Sequence, residues 1–311
     1  MKRCIGLILL LICLSVSAQV DLVRSDYSKP TMVAPLYFGP NAFPVPDMLD
    51  GSVSHDLRVE LAADGYYGFQ RDMTADIFAR IHIPLFTERV NLTVWMPMVE
   101  FYRSTAERLA TCRIKDENKA KAMRGHEGGD VYVSTDIMFL KERDKVPAMS
   151  VRAAVKTASG GGFEYARTYD APGYFFDLSI GKSFDLVSRK NKEEREMPDS
   201  KAVSLRIAAS AGFLCWQTDN GRQNDAVMYG AMLRLNTKYV SVEEVFSGYV
   251  GWEKAGDRPM TLKTRIAGHA PIPNDKGSLE PFVMYQYGIT DYPFHQLRIG
   301  LVYNFDILRK H

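Results

Sequence analysis

The chain has 311 residues, with 39 Lys and Arg against 37 Asp and Glu and a formal net charge of +2. So even a balance asks for no nucleic-acid or acidic partner. Beyond Leu14 no long uncharged apolar run remains, which excludes a membrane-spanning helix of roughly 20 residues.

The N-terminus reads as a secretory signal peptide. Lys2 and Arg3 precede an apolar run from Ile5 to Leu14, and Ser15-Val16-Ser17-Ala18 puts small residues before a cleavage site at Gln19. Two other readings are an N-terminal helix of a globular domain and a lipoprotein acylated at Cys13, although Ile12 suits an acylation site poorly. Removing residues 1–18 takes Lys2 and Arg3 and no acid, leaving 37 basic residues against 37 acidic. Cys4 and Cys13 leave with it. Cys112 then reads as a loop thiol and Cys215 as a small apolar residue on a strand face; whether they pair is not readable from spacing. Between Gln19 and Gly51, Pro30, Pro35, Pro40, Pro44 and Pro46 make the chain extended, not helical.

Twelve alternating segments follow. Leu57, Val59, Leu61 and Ala63 alternate with Arg58, Glu60 and Ala62. Ile77, Ala79, Ile81 and Ile83 alternate with Asp76, Arg80 and His82. Val90 to Met98 alternates through Asn91, Thr93, Trp95 and Pro97. Val131 to Phe139, Met149 to Val155 and Tyr174 to Ile180 carry Asp136, Arg152, Lys156 and Asp177 on their polar faces. Val203 to Phe213 and Val227 to Leu235 carry Arg206 and Arg234. Residues 240–252 are less regular. Leu262 to Ile266 alternates with Lys263 and Arg265, and Val283 to Tyr287 with Glu280 and Gln286. The last segment places Leu297, Ile299, Leu301, Tyr303 and Phe305 on one face, and Gln296, Arg298, Gly300 and Asn304 on the other, with Val302 the exception.

Period-2 alternation marks strands whose faces meet different surroundings. An even count suits closed antiparallel pairing, which leaves no strand edge unpaired in lipid. A β-sandwich also alternates, but it does not explain charges on the polar faces of strands at mid-chain. The expected fold is all-β: a transmembrane antiparallel β-barrel of about 12 strands in the outer membrane of a Gram-negative cell. Residues 1–18 are the signal, 19–54 a Pro-rich periplasmic lead-in or plug, and 55–311 the barrel. With the N-terminus in the periplasm, residues 102–129 and 158–173 form long outer loops. Leu85–Arg89, Lys141–Val146 and Thr237–Tyr239 form short periplasmic turns. The charged run within 185–201 reads as a solvated turn. The lead-in is expected to lie against the periplasmic rim or to enter the lumen as a partial plug.

Gly129-Asp130-Val131-Tyr132-Val133, Lys156-Thr157-Ala158-Ser159-Gly160, Thr168-Tyr169-Asp170 and Gly181-Lys182-Ser183 stand in an order that resembles outer-membrane barrels grouped with transporters of phenol-degradation (meta-pathway) operons. Pro40-Asn41-Ala42-Phe43-Pro44-Val45-Pro46 is similar to the lead-in of Bacteroidetes-type barrels. The resemblance covers about residues 129–184. It implies a barrel that takes up small, often hydrophobic compounds, and it supplies no catalytic residues. The tail from Asp306 to His311 departs from the usual ending on the aromatic Phe305.

With the apolar faces toward lipid, the lumen candidates are Arg58, Glu60, Asp76, Arg80, His82, Asp136, Arg152, Lys156, Asp177, Arg206, Arg234, Lys263, Arg265, Glu280 and Arg298. Such a set reads either as an ion-pair network filling the interior or as a path that favours anionic solutes. His82 shares the inward face with Ser134, Ser150, Ser179, Ser204 and Ser210, but no tight signature of a nucleophile and base joins them. The six histidines lack metal-ligand spacing. Gly160-Gly161-Gly162 precedes no helix start with Lys-Ser/Thr, so it is no phosphate cradle. The expectation is a channel or transporter for small solutes, hydrophobic or anionic in character, and not an enzyme. It needs no cofactor or metal, and its partners are outer-membrane lipid, the barrel-assembly machinery and the solute. The alternatives are a plugged structural or surface-interaction barrel, and a barrel lipid hydrolase.

Overall fold

Each of the twelve alternating segments is a strand in the computed structural model, which describes residues 33–169, 171–186, 203–217, 223–251, 256–272 and 277–305. The signal peptide, most of the charged run and the tail after Phe305 lie outside the described residues. In chain order the strands are β1 (Leu57–Gly68), β2 (Met73–Pro84), β3 (Val90–Arg103), β4 (Arg124–Glu127), β5 (Tyr132–Leu140), β6 (Ala148–Lys156) and β7 (Gly173–Asp185). They continue as β8 (Ser204–Gln217), β9 (Gln223–Asn236), β10 (Val240–Gly251), β11 (Met260–Gly268), β12 (Ala270–Pro271), β13 (Ser278–Thr290) and β14 (Phe294–Phe305). Twelve of them form the wall. β4 only extends β3, and the two-residue β12 only flanks β13. Neighbours pair antiparallel, and β1 pairs β14 from Leu57 opposite Phe305 to Gly68 opposite Phe294. The sheet therefore closes into a barrel.

The period of two sets the faces. Leu61, Ile77, Ile137, Val151, Leu178, Ile207, Ile266 and Ile299 are exposed on the outside. Asp64, Asp76, Asp136, Arg152, Asp177, Arg206 and Gln296 are buried on the inside. Exposed aromatics mark both ends of the apolar belt: Tyr67, Phe101 and Tyr285 at one, Phe86, Phe184, Tyr239 and Phe305 at the other. Such an apolar band between aromatic girdles is the exterior of a transmembrane barrel. The exception Val302 points inward, where it packs with Phe282, Met284, Phe78 and Ala62.

The two ends differ. One carries the short turns Leu85–Arg89 and Thr237–Tyr239. The other carries the long connections 104–131 and 157–172, and these ends are called the turn end and the loop end below. The connection after β3 is not a plain loop. It holds helices Ala106–Thr111 and Lys119–Met123 besides β4. Cys112 caps the first of these helices, is 3 % exposed and donates from Sγ to the Tyr37 carbonyl at 2.9 Å. It is a core group, and burial pushes its thiol pKa up. Cys215 is buried in β8, and both cysteines are free.

One irregularity in the wall matters. Between Ile77 and Phe78 the β2–β3 register slips, so that Ile77 faces Val99 and Phe78 faces Pro97. Met98 is the extra residue of a bulge beside Pro97, which has no N–H for the ladder. Strict alternation from Met96 and Met98 puts Glu100 toward lipid. The bulge turns it inward, where it is completely buried.

Candidate functional site: the lumen and its internal segment

Residues 33–56 run inside the barrel. The run Ala34 to Phe38 sits among the long connections: Gly39 N–H donates to the Ala166 carbonyl at 2.8 Å, and Arg108 donates to the carbonyls of Leu36 and Phe38 at 3.1 and 3.2 Å. From there the segment passes down the lumen to reach β1 at the turn end. Its four prolines, Pro35, Pro40, Pro44 and Pro46, keep it from satisfying its own backbone, and contacts with the wall hold it. Asn41 donates to Asp76 at 2.8 Å and to Glu100 at 2.9 Å. Tyr249 donates to the Phe43 carbonyl at 3.2 Å, and Arg152 to the Asp47 carbonyl at 2.7 Å. Gly51 has φ +83° and lies on the backbone of β7: a Cβ on Gly181 would sit 2.0 Å from the Asp50 carbonyl oxygen.

At the loop end the lumen is sealed. Phe38, Phe43, Phe163 and Tyr169 pack with ring centroids 5.3 to 6.2 Å apart. Beside them Arg167, 3 % exposed, meets Asp72 at 2.9 Å and Glu100 at 2.9 Å, and also donates to Thr74. Tyr66, Tyr292 and Phe294 close the neighbouring side.

Below this seal lies a cavity of about 640 Å³. Its lining includes the exposed Ser52 and His55 at the turn end. Of the sequence candidates, Arg58, Glu60, Arg80, His82, Asp136, Arg152, Arg234, Lys263, Arg265 and Arg298 line it. Asp76, Lys156, Asp177, Arg206 and Glu280 face inward but are held in contacts away from it. Asp76 accepts from Asn41; Lys156 bridges Asp130 at 2.6 Å; Asp177 meets Arg152 at 2.7 Å. Arg206 meets Glu142 at 2.7 Å, and Glu280 accepts from Asn304 at 2.9 Å. Glu142, in the turn after β5, also accepts from the Ser183 N–H at 2.8 Å. Its partial burial opposes the charge, but the Ser183 N–H, Arg206 and Lys182 outweigh it and hold the carboxyl below its usual range.

The internal segment supplies two groups that alternation did not single out. Asp47 meets Arg80 at 2.5 Å and also Lys263. Asp50 meets Arg234 at 2.7 Å and Arg206 at 3.1 Å. The wall brings Arg58, Arg80, Arg152, Arg234, Lys263, Arg265 and Arg298 to the cavity against only Glu60, Asp136 and Glu243. Asp47 and Asp50 offset part of that excess. His82 lies 2.8 Å from the Thr93 hydroxyl, which donates to Asp136 at 3.0 Å. Among the described residues none of the five inward serines hydrogen-bonds His82, and no group of His, Cys, Asp and Glu side chains is arranged to hold a metal.

No family model and no curated protein matches the chain. Solved structures that it resembles are outer-membrane barrels. The KdgM porin in complex with disordered oligogalacturonate is 10 % identical, with 80 % of this chain and 99 % of that one covered and a TM-score of 0.44. The NanC porin is 10 % identical over 79 % and 100 %, with a TM-score of 0.43. The CymD monoaromatic hydrocarbon channel is 8 % identical over 94 % and 100 %, with a TM-score of 0.35. The likeness is one of strand architecture and gives no residue correspondence.

Proposed function

We propose that the protein is an outer-membrane channel for small anionic solutes, closed at rest by its own residues 33–56. The observation that carries this reading is the lumen wall itself, where seven Arg and Lys side chains face the cavity against three wall carboxylates. Asp177, Asp64 and Glu280 pair with Arg152, Arg298 and Arg58 from behind, but Arg80, Arg234, Lys263 and Arg265 are left to the internal segment or to a solute. A cationic lumen in a low-dielectric wall concentrates anions and repels cations. In this reading residues 1–18 direct export, outer-membrane lipid surrounds the apolar belt, the barrel-assembly machinery inserts the chain, and the loop end faces outward. The resemblance of residues 129–184 to meta-pathway transporters narrows the solutes to small acids with hydrophobic parts.

The test is conductance in planar bilayers. A variant lacking residues 33–50, folded as judged by heat-modifiable migration, is expected to open anion-selective channels where the intact protein is closed. A folded deletion variant that stays silent, or that selects cations, removes the channel reading. It would leave a structural or surface-interaction barrel, which the apolar seal around Phe38, Phe43 and Tyr169 favours.

A further inference from the structure

We infer that Asp47 and Asp50 stand in for the acid groups of the solute: the resting segment fills a site built for a small molecule with two or more carboxylates, and such a molecule releases the segment by taking its place. The inference rests on the channel reading and gives it a substrate class and an opening event.

Four cations from four strands converge on two carboxylates. Arg80 of β2 and Lys263 of β11 hold Asp47; Arg206 of β8 and Arg234 of β9 hold Asp50. Between them the contacts supply charge-assisted hydrogen bonds to both acid groups, the kind worth most at a partly buried site. The site is also not self-sufficient. Among the described residues Lys263 has no ion pair besides Asp47. Its inward neighbour Arg265 has none at all and rests over the Phe282 ring, 4.3 Å from the centroid. A wall left with uncompensated cations when the segment leaves is costly, so something anionic must arrive as the segment departs. The Asp47 side chain is 39 % exposed to the cavity, so a solute already inside reaches these cations without first breaking the loop-end seal. Arg265, which makes no ion pair among the described residues, offers it a foothold beside Lys263. Exchange then proceeds one carboxylate at a time, which a molecule with a single acid group does not complete.

Displacement is read by reactivity at the segment. In the full protein carrying Met48→Cys, held in detergent micelles, labelling by a bulky maleimide is followed against the parent, whose Cys112 and Cys215 are buried. Because the resting segment taxes solute binding by the fraction of open protein, release is expected to raise the labelling rate about tenfold or more. Tricarballylate is expected to produce that rise; acetate and glucose are not. Adding Asp47→Asn/Asp50→Asn is expected to give fast labelling without solute and no further response. Labelling unmoved by tricarballylate overturns the inference while a conducting deletion variant keeps the channel reading. Equal acceleration by acetate, or by inorganic phosphate, overturns the assignment to multivalent carboxylates. The titration of Met48→Cys stands by itself if the double Asn variant does not fold.

Discussion

Arg167 and Glu100 meet where neither touches water, and Asp72 shares the same guanidinium. Removing one partner of such a group leaves a buried charge with nothing opposite it. Arg167→Met is therefore expected to destabilise the barrel by about 3–5 kcal/mol, measured as a lower urea midpoint followed by tryptophan fluorescence. Neither residue was legible beforehand. Arg167 lies in a connection with no periodicity, and Glu100 sits on the wrong face until Pro97 and the Met98 bulge are seen. Pro97 was the available signal, because a proline inside a strand points to a bulge or an edge. Where no bulge intervenes, alternation places side chains correctly. Leu233 faces out at 36 % exposure, and its neighbour Arg234 turns in to Glu243 at 2.5 Å. Leu233→Arg is expected to lower folding yield into lipid vesicles, by a cost that is about 2–4 kcal/mol at mid-bilayer and falls toward the interface; Leu233 stands three residues from the end of β9. Arg234→Leu is expected to fold and to lose its hold on Asp50. Opposite outcomes in a vesicle-folding assay would put the facing of β9 wrong by one residue.

The internal segment is an element without a regular structure of its own, so its place in the lumen had no pattern to announce it. Asp47 finds Lys263 across 216 residues of sequence, a distance at which charge alone does not choose among many partners. What the prolines did make legible is that residues 33–51 build no α-helix; their one helical turn is the short 3-10 helix Pro35–Tyr37. At Gly181 this element meets the wall backbone on backbone. Gly181→Ala is expected to lift Asp50 and Gly51 off β7 without altering any charge, at about 1–3 kcal/mol for an overpacked contact; raised bilayer conductance is the check. Glu142 gives the same end of the element a pH signature. Its carboxyl lies below the ordinary value of 4.5. Its contribution is therefore complete above that value and lost as pH falls through the lowered one. The melting-temperature gap between the protein and Glu142→Gln is expected to be constant from neutral pH to about pH 4.5 and to vanish below it, as read by thermal scans across pH.

For the whole molecule, twelve strands and their facing followed from the period of two, because lipid outside and charge inside impose opposite chemistry on adjacent residues. The sequence left the state of the lumen open, since a filled and an empty barrel share the same wall pattern. Pinning the segment tests whether the resting state is the closed one. Met48 Sδ lies 2.9 Å from where a Cβ of Gly230 would stand, so Met48→Cys/Gly230→Cys is expected to form a cross-link that no solute opens, with solute-evoked conductance appearing on reduction in the same bilayer. The path of the segment also constrains how the barrel is made. Residues 33–56 precede β1, yet they touch β2, β6, β8, β9 and β11, and the ring joins its first and last strands, β1 and β14. A seam that zipped first would leave a Pro-rich strand to be drawn through a closed ring against its aromatic and ionic contacts. The order of events is then set by the threading: the N-terminal stretch must be in position while the sheet is still an open, curling ribbon, serving as the mandrel around which it winds. The segment that fills the finished barrel is in this sense the first part of it to be built.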